Sequence, residues 1–432
     1  TIPSGATINN QGTATNFGAT GSASWTTTVK TNSDSGFTAV AGEGYFLNTT
    51  AGTISVNLPA GSAGAVVAFK DYAGTFDTNA ATLVPNGSDK IGGSTDNVIL
   101  SEEGIAVTLV FIDSTQGWLV TDSGLQSEAP SPTFVAATGG TVTTVCTNFK
   151  VHTFTGPGTF CISAVGNLAG SNSVDYLVIA GGGGGGKGNS PAHGAGGGGA
   201  GGYRESPGTT TCYTASPLGA APAAAIAVST GAYPVAVGGA GTGSACANVR
   251  GTSGSNSSFL TITSNGGGGG GVSLCSGFPG LPGGSGGGGS SEASGSGGAG
   301  NTPPVSPPQG ESGGAGVNAA TPVLQTGGGG GATAAGTSGT GGGTMGAGGA
   351  GATSSINGTP TARAGGGGGG ATGPNTGAGG PGGAGGGGGG GTPCTAGVAG
   401  TTNTGGGGGG GKGGSPGGTN GGNGGSGVVI IR

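Results

Sequence analysis

Charge is what this sequence has least of: only 6% of its 432 residues are Asp, Glu, Lys or Arg. Aromatic side chains are sparse too, at 5%, and there are two histidines. Each scarcity excludes something. Disordered tails stay solvated through charge and low hydrophobicity, and a nearly neutral chain lacks that means. The few charges are unevenly placed, with a net −8 over residues 1–175 and +3 over 176–432. So thin and scattered a positive excess is no phosphate-binding footprint, which argues against nucleic acid as a partner. No apolar run nears the ~20 residues of a bilayer span; VDYLVIA at 174–180 has strand length, and no membrane insertion is expected. The sequence opens at Thr1 with neither Met nor a signal peptide, and reads as the ordered or processed part of a longer product.

Catalytic constellations are also lacking. His152 falls in a strand and His193 in a Gly-rich loop, which gives no catalytic pair. Glu102 and Glu103 are adjacent, hence on opposite faces of any strand. Without a Cys-x-x-Cys pair structural zinc is not expected, and nothing calls for another metal or a cofactor. Two stretches, GGGGGGKGN around Lys187 and GGGGGGGKGG around Lys412, superficially resemble a phosphate-binding loop. That motif needs Ser or Thr after the lysine, and Gly188 and Gly413 stand there instead. The chain does not read as an enzyme.

What is abundant is glycine, 120 residues of it, and it is concentrated in the second half. The first half is ordinary β-protein. GYFLNTT, GTISVNLP, GAVVAFKD, ATLVPNG, NVILSEE, AVTLVFID and GWLVTD are short runs bounded by turn residues, the signature of a β-sandwich or barrel. In TISVNL the residues Ile54, Val56 and Leu58 share one face. The predicted organisation is an extended polar lead-in over 1–39, a β-domain over 40–124, a Pro-containing linker over 125–133 and a second β unit over 134–180. A Gly-rich domain follows over 181–432.

In that last domain eight runs of four or more glycines occur: 181–186, 196–199, 266–271, 286–289, 327–331, 365–370, 385–391 and 405–411. No strict Gly-X-Y period holds, so this is not collagen. Ordering glycine is costly, since each residue loses ~1–2 kcal/mol of backbone entropy and Gly the most. With nothing apolar to bury, backbone hydrogen bonds must supply the return, at a net ~0.5–1.5 kcal/mol each. The regular arrangement that uses both backbone groups of every glycine is a bundle of extended left-handed helices. Their three residues per turn and ~3.1 Å rise leave all donors and acceptors pointing outward. Neighbours without Cβ atoms can then approach until those groups pair. The fold class is therefore all-β plus a Gly-rich non-α bundle: a polyglycine II helix sandwich, closed by short strands. DYLVIA enters it and GVVIIR leaves it, and the two are expected to pair.

The order HTFTGPGTF, VDYLVIAGGGGGG, GGAGGYRES, AYPVAVGGAGTG, GSNSSF, GGGGGG and GGSGVVIIR resembles the glycine-rich terminal domain of bacteriophage tail-fibre proteins. The upstream GEGYFLNTTAGTISVNLPAGSAGAVVAFKDYAGTFDTN through GWLVTDSG is similar to a β-domain that often precedes it. The likeness extends to the distal adhesins of T-even-like phages, whose polyglycine helices pack as a sandwich and whose loops contact the host. The resemblance implies an extracellular virion part, a homotrimeric fibre joined to other tail proteins. It also implies recognition of a bacterial surface receptor, polysaccharide or outer-membrane protein.

An extracellular setting favours disulfides among Cys146, Cys161, Cys212, Cys246, Cys275 and Cys394. Fifteen connectivities exist; proximity suggests Cys146–Cys161 and Cys212–Cys246, leaving Cys275–Cys394. If the glycine helices are rigid rods, recognition must come from their connections. Candidates are Tyr203, Arg204 and Tyr213, then Leu274, Phe278 and Leu281, then Gln309 and Glu311. Alternate loops should fall on opposite ends of the bundle. A self-assembling filament would show interchangeable repeats, and these segments are unequal. An ice-binding protein would show regular Thr rows and gives the first 175 residues no role.

Overall fold

A computed structural model of the chain describes residues 23–125, 132–167, 170–189, 192–208, 212–220, 225–246, 248–273, 278–292, 295–318, 324–340, 343–373, 377–414 and 417–432. It divides into two units, Thr1–Ser131 and Pro132–Arg432. No α-helix occurs among the described residues; a short 3-10 turn stands at Asn32–Asp34.

In the first unit the chain passes back and forth between two sheets, changing sheet at every strand from Lys30–Thr31 to Ala81–Val84. One sheet holds Ser24–Trp25, Lys30–Thr31, Glu43–Asn48, Val66–Asp71, Ile105–Phe111 and Trp118–Leu125. The other holds Phe37–Thr38, Ile54–Asn57, Ala81–Val84 and Val98–Leu100. Because the chain shuttles between them, same-sheet neighbours such as Glu43–Asn48 and Val66–Asp71 run parallel, as do Ile54–Asn57 and Ala81–Val84. Neither sheet closes into a barrel, so the arrangement is a sandwich. Its core takes Ile54, Val56 and Leu58 from one face of their strand, with Tyr45, Leu47, Phe69, Phe76 and Trp118. The stretch expected as an extended lead-in is woven into both sheets from Ser24 on; residues 1–22 lie outside the described residues. Asp71 is buried, and its carboxylate accepts backbone N–H bonds from Gly74, Thr75, Phe76 and Gly104 at 2.9–3.2 Å. Glu102 and Glu103 lie in the turn beside it rather than in a strand.

The second unit is built around a five-stranded antiparallel sheet. Its order is Thr141–Val145, Phe149–Phe154, Val428–Ile431, Tyr176–Ile179, Tyr203–Ser206. The expected pairing of DYLVIA with GVVIIR is present, with Tyr176 opposite Ile431 and Ile179 opposite Val428. The Val428–Ile431 strand is central, and both of its faces are covered. Val429 and Ile431 share a core cluster with Phe154 of the neighbouring strand and with Phe160, Val235 and Phe259 of a second five-stranded sheet. Val428 and Ile430 meet Ile356, Ala352 and Ala364. An unbroken apolar run is what a strand buried on both faces requires.

From Ile179 the chain passes straight into the first glycine run, where the hydrogen-bond partner changes at every residue and returns at every third. Gly182 and Gly185 donate to Gly425 and Gly422; Gly183 and Gly186 to Gly199 and Gly196; Gly181 and Gly184 to Ser255 and Thr252. In return Gly241 and Ser244, Gly267 and Gly270, and Gly408 and Gly411 donate to its carbonyls, with all twelve bonds at 2.8–3.1 Å. Three residues per turn and six neighbours define a polyglycine II rod.

The same accounting carried through the chain gives a centred hexagonal array, whose rows are the layers of the sandwich. Residues 195–201 form the central rod, bonded to 181–188, 266–271, 285–290, 326–332, 365–371 and 405–411. Around these six stand the rods 238–244, 251–255, 280–284, 295–300, 311–316, 334–339, 346–351, 379–384, 387–391, 397–401 and 419–425. One corner of that outer ring holds no rod among the described residues. Beside it the 266–271 rod has five neighbours, and on the open side the Asn256 side chain accepts the Gly266 N–H at 2.9 Å.

Candidate functional site

The rods run alternately up and down, so every connection falls either at the base, beside the sheets, or at the far end. Most of the residues singled out from the sequence lie at the base. Tyr203 is 1% exposed and Gln309 0%, so neither side chain lies on a surface that a receptor reaches. The Tyr203 hydroxyl donates to Glu205 Oε2 at 3.1 Å, and the other Glu205 oxygen accepts from Ser354 Oγ at 2.6 Å. Arg432 lies over the Phe149 and Tyr213 rings at 4.3 and 5.1 Å. Burial, reinforced by the Glu205 carboxylate, pushes both Tyr203 and Tyr213 hydroxyls far up, and burial lowers the Arg363 guanidinium. This polar knot ties the 203–216 segment to the Ala352–Ser354 hairpin and the last strand. Arg204 lies in the edge strand of the same sheet. Gln309 closes the 301–308 turn, taking the Asn265 N–H at 2.9 Å and giving its Nε2 to Pro303 O at 3.0 Å; Glu311 opens the rod that follows.

Phe278 belongs to a far-end turn, where the Arg250 guanidinium lies over its ring at 4.8 Å. Leu281 is in the rod just after it, bonded to Gly269. Leu274 lies outside the described residues.

The expected disulfides do not form among the described residues, where Cys146, Cys161, Cys212, Cys246 and Cys394 are free thiols. Cys212 is at the base, its sulfur 3.0 Å from Arg432 Nη2, whereas Cys246 is at the far end. The rod between them is ~22 Å long at ~3.1 Å per residue, against the ~7 Å limit for bridged Cα atoms. Cys146 and Cys161 belong to different sheets: one caps the Thr141–Val145 hairpin and the other lies on Gly158–Ala164. Cys275, the partner expected for Cys394, lies outside the described residues.

The far end brings together residues to which the sequence alone assigns no binding role. Lys187, His193, Arg250 and Lys412 all stand on its turns. Lys187 Nζ donates to Ala245 O at 3.0 Å and to Asn420 Oδ1 at 3.2 Å. Lys412 N donates to Thr419 Oγ1 at 2.7 Å, and Gly414 N to Asn189 O at 3.2 Å. Through Lys187–Ala245, Lys187–Asn420 and Gly414–Asn189 the described residues of three neighbouring connections are bonded into one surface. A signal for it did exist: both lysines end uninterrupted runs that leave the base in the same direction. His152, by contrast, is buried in the base, with Nδ1 2.8 Å from Gly139 O and its ring edge-on to Phe160. Among the described residues no group of three or more His, Cys, Asp or Glu could hold a metal ion. The far end can bind through hydrogen bonds and positive charge.

Comparison with known proteins accords with this architecture. Residues 5–125 match the family of the bacteriophage T4 gp9/10-like protein, N-terminal, and residues 155–432 match the glycine-rich domain. No curated protein matches the chain. The first match points to a structural role in a phage tail, and the second spans well over half of the sequence. The chain belongs to the glycine-rich domain family, and the two matches together are those of a phage tail-fibre protein with a glycine-rich C-terminal region.

Proposed function

We propose that this protein attaches a phage to its bacterial host, and that the far-end turns of the glycine bundle touch the host receptor. One observation carries the reading. The base connections are consumed by the large sheets and a buried polar knot, whereas the far-end turns stand on glycine-rich rods and are bonded chiefly to one another. Loops positioned on a rigid scaffold are where binding function concentrates. The Phe278 turn stays in the proposal; Tyr203 and Gln309 leave it because they are buried. The protein acts outside the cell as part of the virion tail, as a homotrimer assembled through residues 1–175, bound to other tail proteins.

The test is competition. Purified full-length protein added to host cells should block adsorption of the phage. Replacing the far-end turn 392–396 by an unrelated turn of equal length should weaken that block, and replacing the base turn 301–308 should leave it unchanged. A protein that never reaches the cell surface, or one that responds only to the base replacement, would contradict the proposal.

A further inference from the structure

The turns at the far end share one chemistry. Every cation of the Gly-rich region that is not at the base is here: Lys187, Arg250 and Lys412. The one carboxylate among the described far-end residues is Glu292, and no ion pair neutralises any of the three cations there; the single salt bridge among the described residues is Lys30–Asp34. Lys187 is held in place by two neutral acceptors, Ala245 O and Asn420 Oδ1, which fix the ammonium without cancelling its charge. Arg250 is spread over Phe278, and its Nε is buried with no partner; so is the Nδ1 of His193 on the adjoining turn. Buried polar atoms without partners are rare in folded proteins and mark a place where a ligand or water completes the set.

The patch is poorly suited to a protein partner. Protein interfaces draw most of their affinity from aromatic and aliphatic anchors in desolvated pockets. The exposed large apolar side chains described at this end are Val249 and Val398, and the Phe278 ring is already occupied by Arg250. We infer that the patch formed by Lys187, His193, Arg250, Lys412, Thr419 and Asn420 binds an anionic polysaccharide of the host surface, its ammonium and guanidinium groups meeting phosphate or carboxylate and its hydroxyl and amides meeting sugar hydroxyls. This rests on the reading of the far end as the receptor-contacting end. The pairing is charge-assisted, so it is strong per contact, yet exposed enough to be screened by salt.

The experiment uses the full chain and three immobilised glycans: lipopolysaccharide before and after chemical dephosphorylation, polygalacturonate, and neutral dextran. Binding is read by interferometry at low and high NaCl. The expected result is binding to native lipopolysaccharide or polygalacturonate, none to dextran, and at least an about tenfold loss in Lys412→Gln and in the Lys187→Gln/Lys412→Gln double variant. High salt should cause a similar loss, and thermal melting should not change. Lys412→Gln is included because its ammonium makes no hydrogen bond among the described residues, so it reports chiefly on charge. Loss on dephosphorylation assigns phosphate as the recognised group; binding to polygalacturonate assigns carboxylate. If neither polyanion binds, or if both variants bind as tightly as the parent, the inference falls. Host cells that still capture the chain in that case would leave the receptor reading standing; host cells that never capture it would remove both.

Discussion

A glycine inside the array is there because the adjacent rod occupies the place of its side chain. A Cβ on Gly407 would lie 2.0 Å from Gly198 O, and one on Gly184 would lie 2.2 Å from Thr242 O. On Gly389, in an equally uninterrupted run but on the outer ring, the nearest atom is 3.9 Å away. Gly407→Ala must push two rods apart and should destabilise the unit by at least the ~1–3 kcal/mol typical of overpacking. Gly389→Ala should stay within about 0.5 kcal/mol. Thermal unfolding of the two variants decides it, and equal midpoints would refute the packing argument. In the first unit Asp71→Ala strips four backbone N–H groups of their acceptor. At ~1–3 kcal/mol for each buried unpaired group, it should cost well over 3 kcal/mol in denaturant unfolding. The role of Asp71 was not legible, because VVAFKD reads as a strand whether or not its last residue turns inward to a loop.

Among the elements, the Val428–Ile431 strand has the most to lose. Ile430 is 1% exposed and belongs to the cluster under the Ala352–Ser354 hairpin, so Ile430→Ala should cost ~2–5 kcal/mol. The beginning and end of this sheet were readable as apolar runs of strand length. The rods were half readable. Those of the centre and the first ring show as polyglycine over most of their length, because neighbours on five or six sides leave little room for a side chain. Corner rods such as 295–300 face solvent on the outside. Only their inward residues, Gly295 and Gly298, are buried, while Ser296 and Ala299 are exposed. Such rods pass for loops, so the sequence does not show which connections share an end, and Gln309 could not be placed at the base from it. The tyrosines of the base knot add a pH dependence. Tyr203 and Tyr213 keep their protons in the folded state well above the range in which they lose them unfolded. Their contribution is fully present below the unfolded value, pH ~10, and is lost as pH rises beyond it. Stability should fall above pH ~10, and less steeply in Tyr213→Phe, as followed by alkaline denaturation.

At the scale of the molecule, the proposed homotrimer is open to light scattering on the intact chain: a mass about three times that of the 38.7 kDa monomer supports it, and a monomer refutes it. The expected Cys146–Cys161 and Cys212–Cys246 bridges are missing for a physical reason. An even count in an extracellular chain favours bridges, but closing one needs Cα atoms within ~7 Å, and a rod keeps Cys212 and Cys246 at opposite ends. The central claim is that identical glycine sequences differ only in where the array puts them, and amide hydrogen exchange tests it most directly. Residues 365–370 and 385–391 are both uninterrupted polyglycine. The former has neighbouring rods on all six sides, whereas the latter is on the outer ring. Followed by mass spectrometry on peptides covering each run, exchange should be slow over 365–370 and markedly faster over 385–391. Equally fast exchange in both would mean that the runs are unstructured, and the hexagonal array, with the far end it holds up, would be wrong.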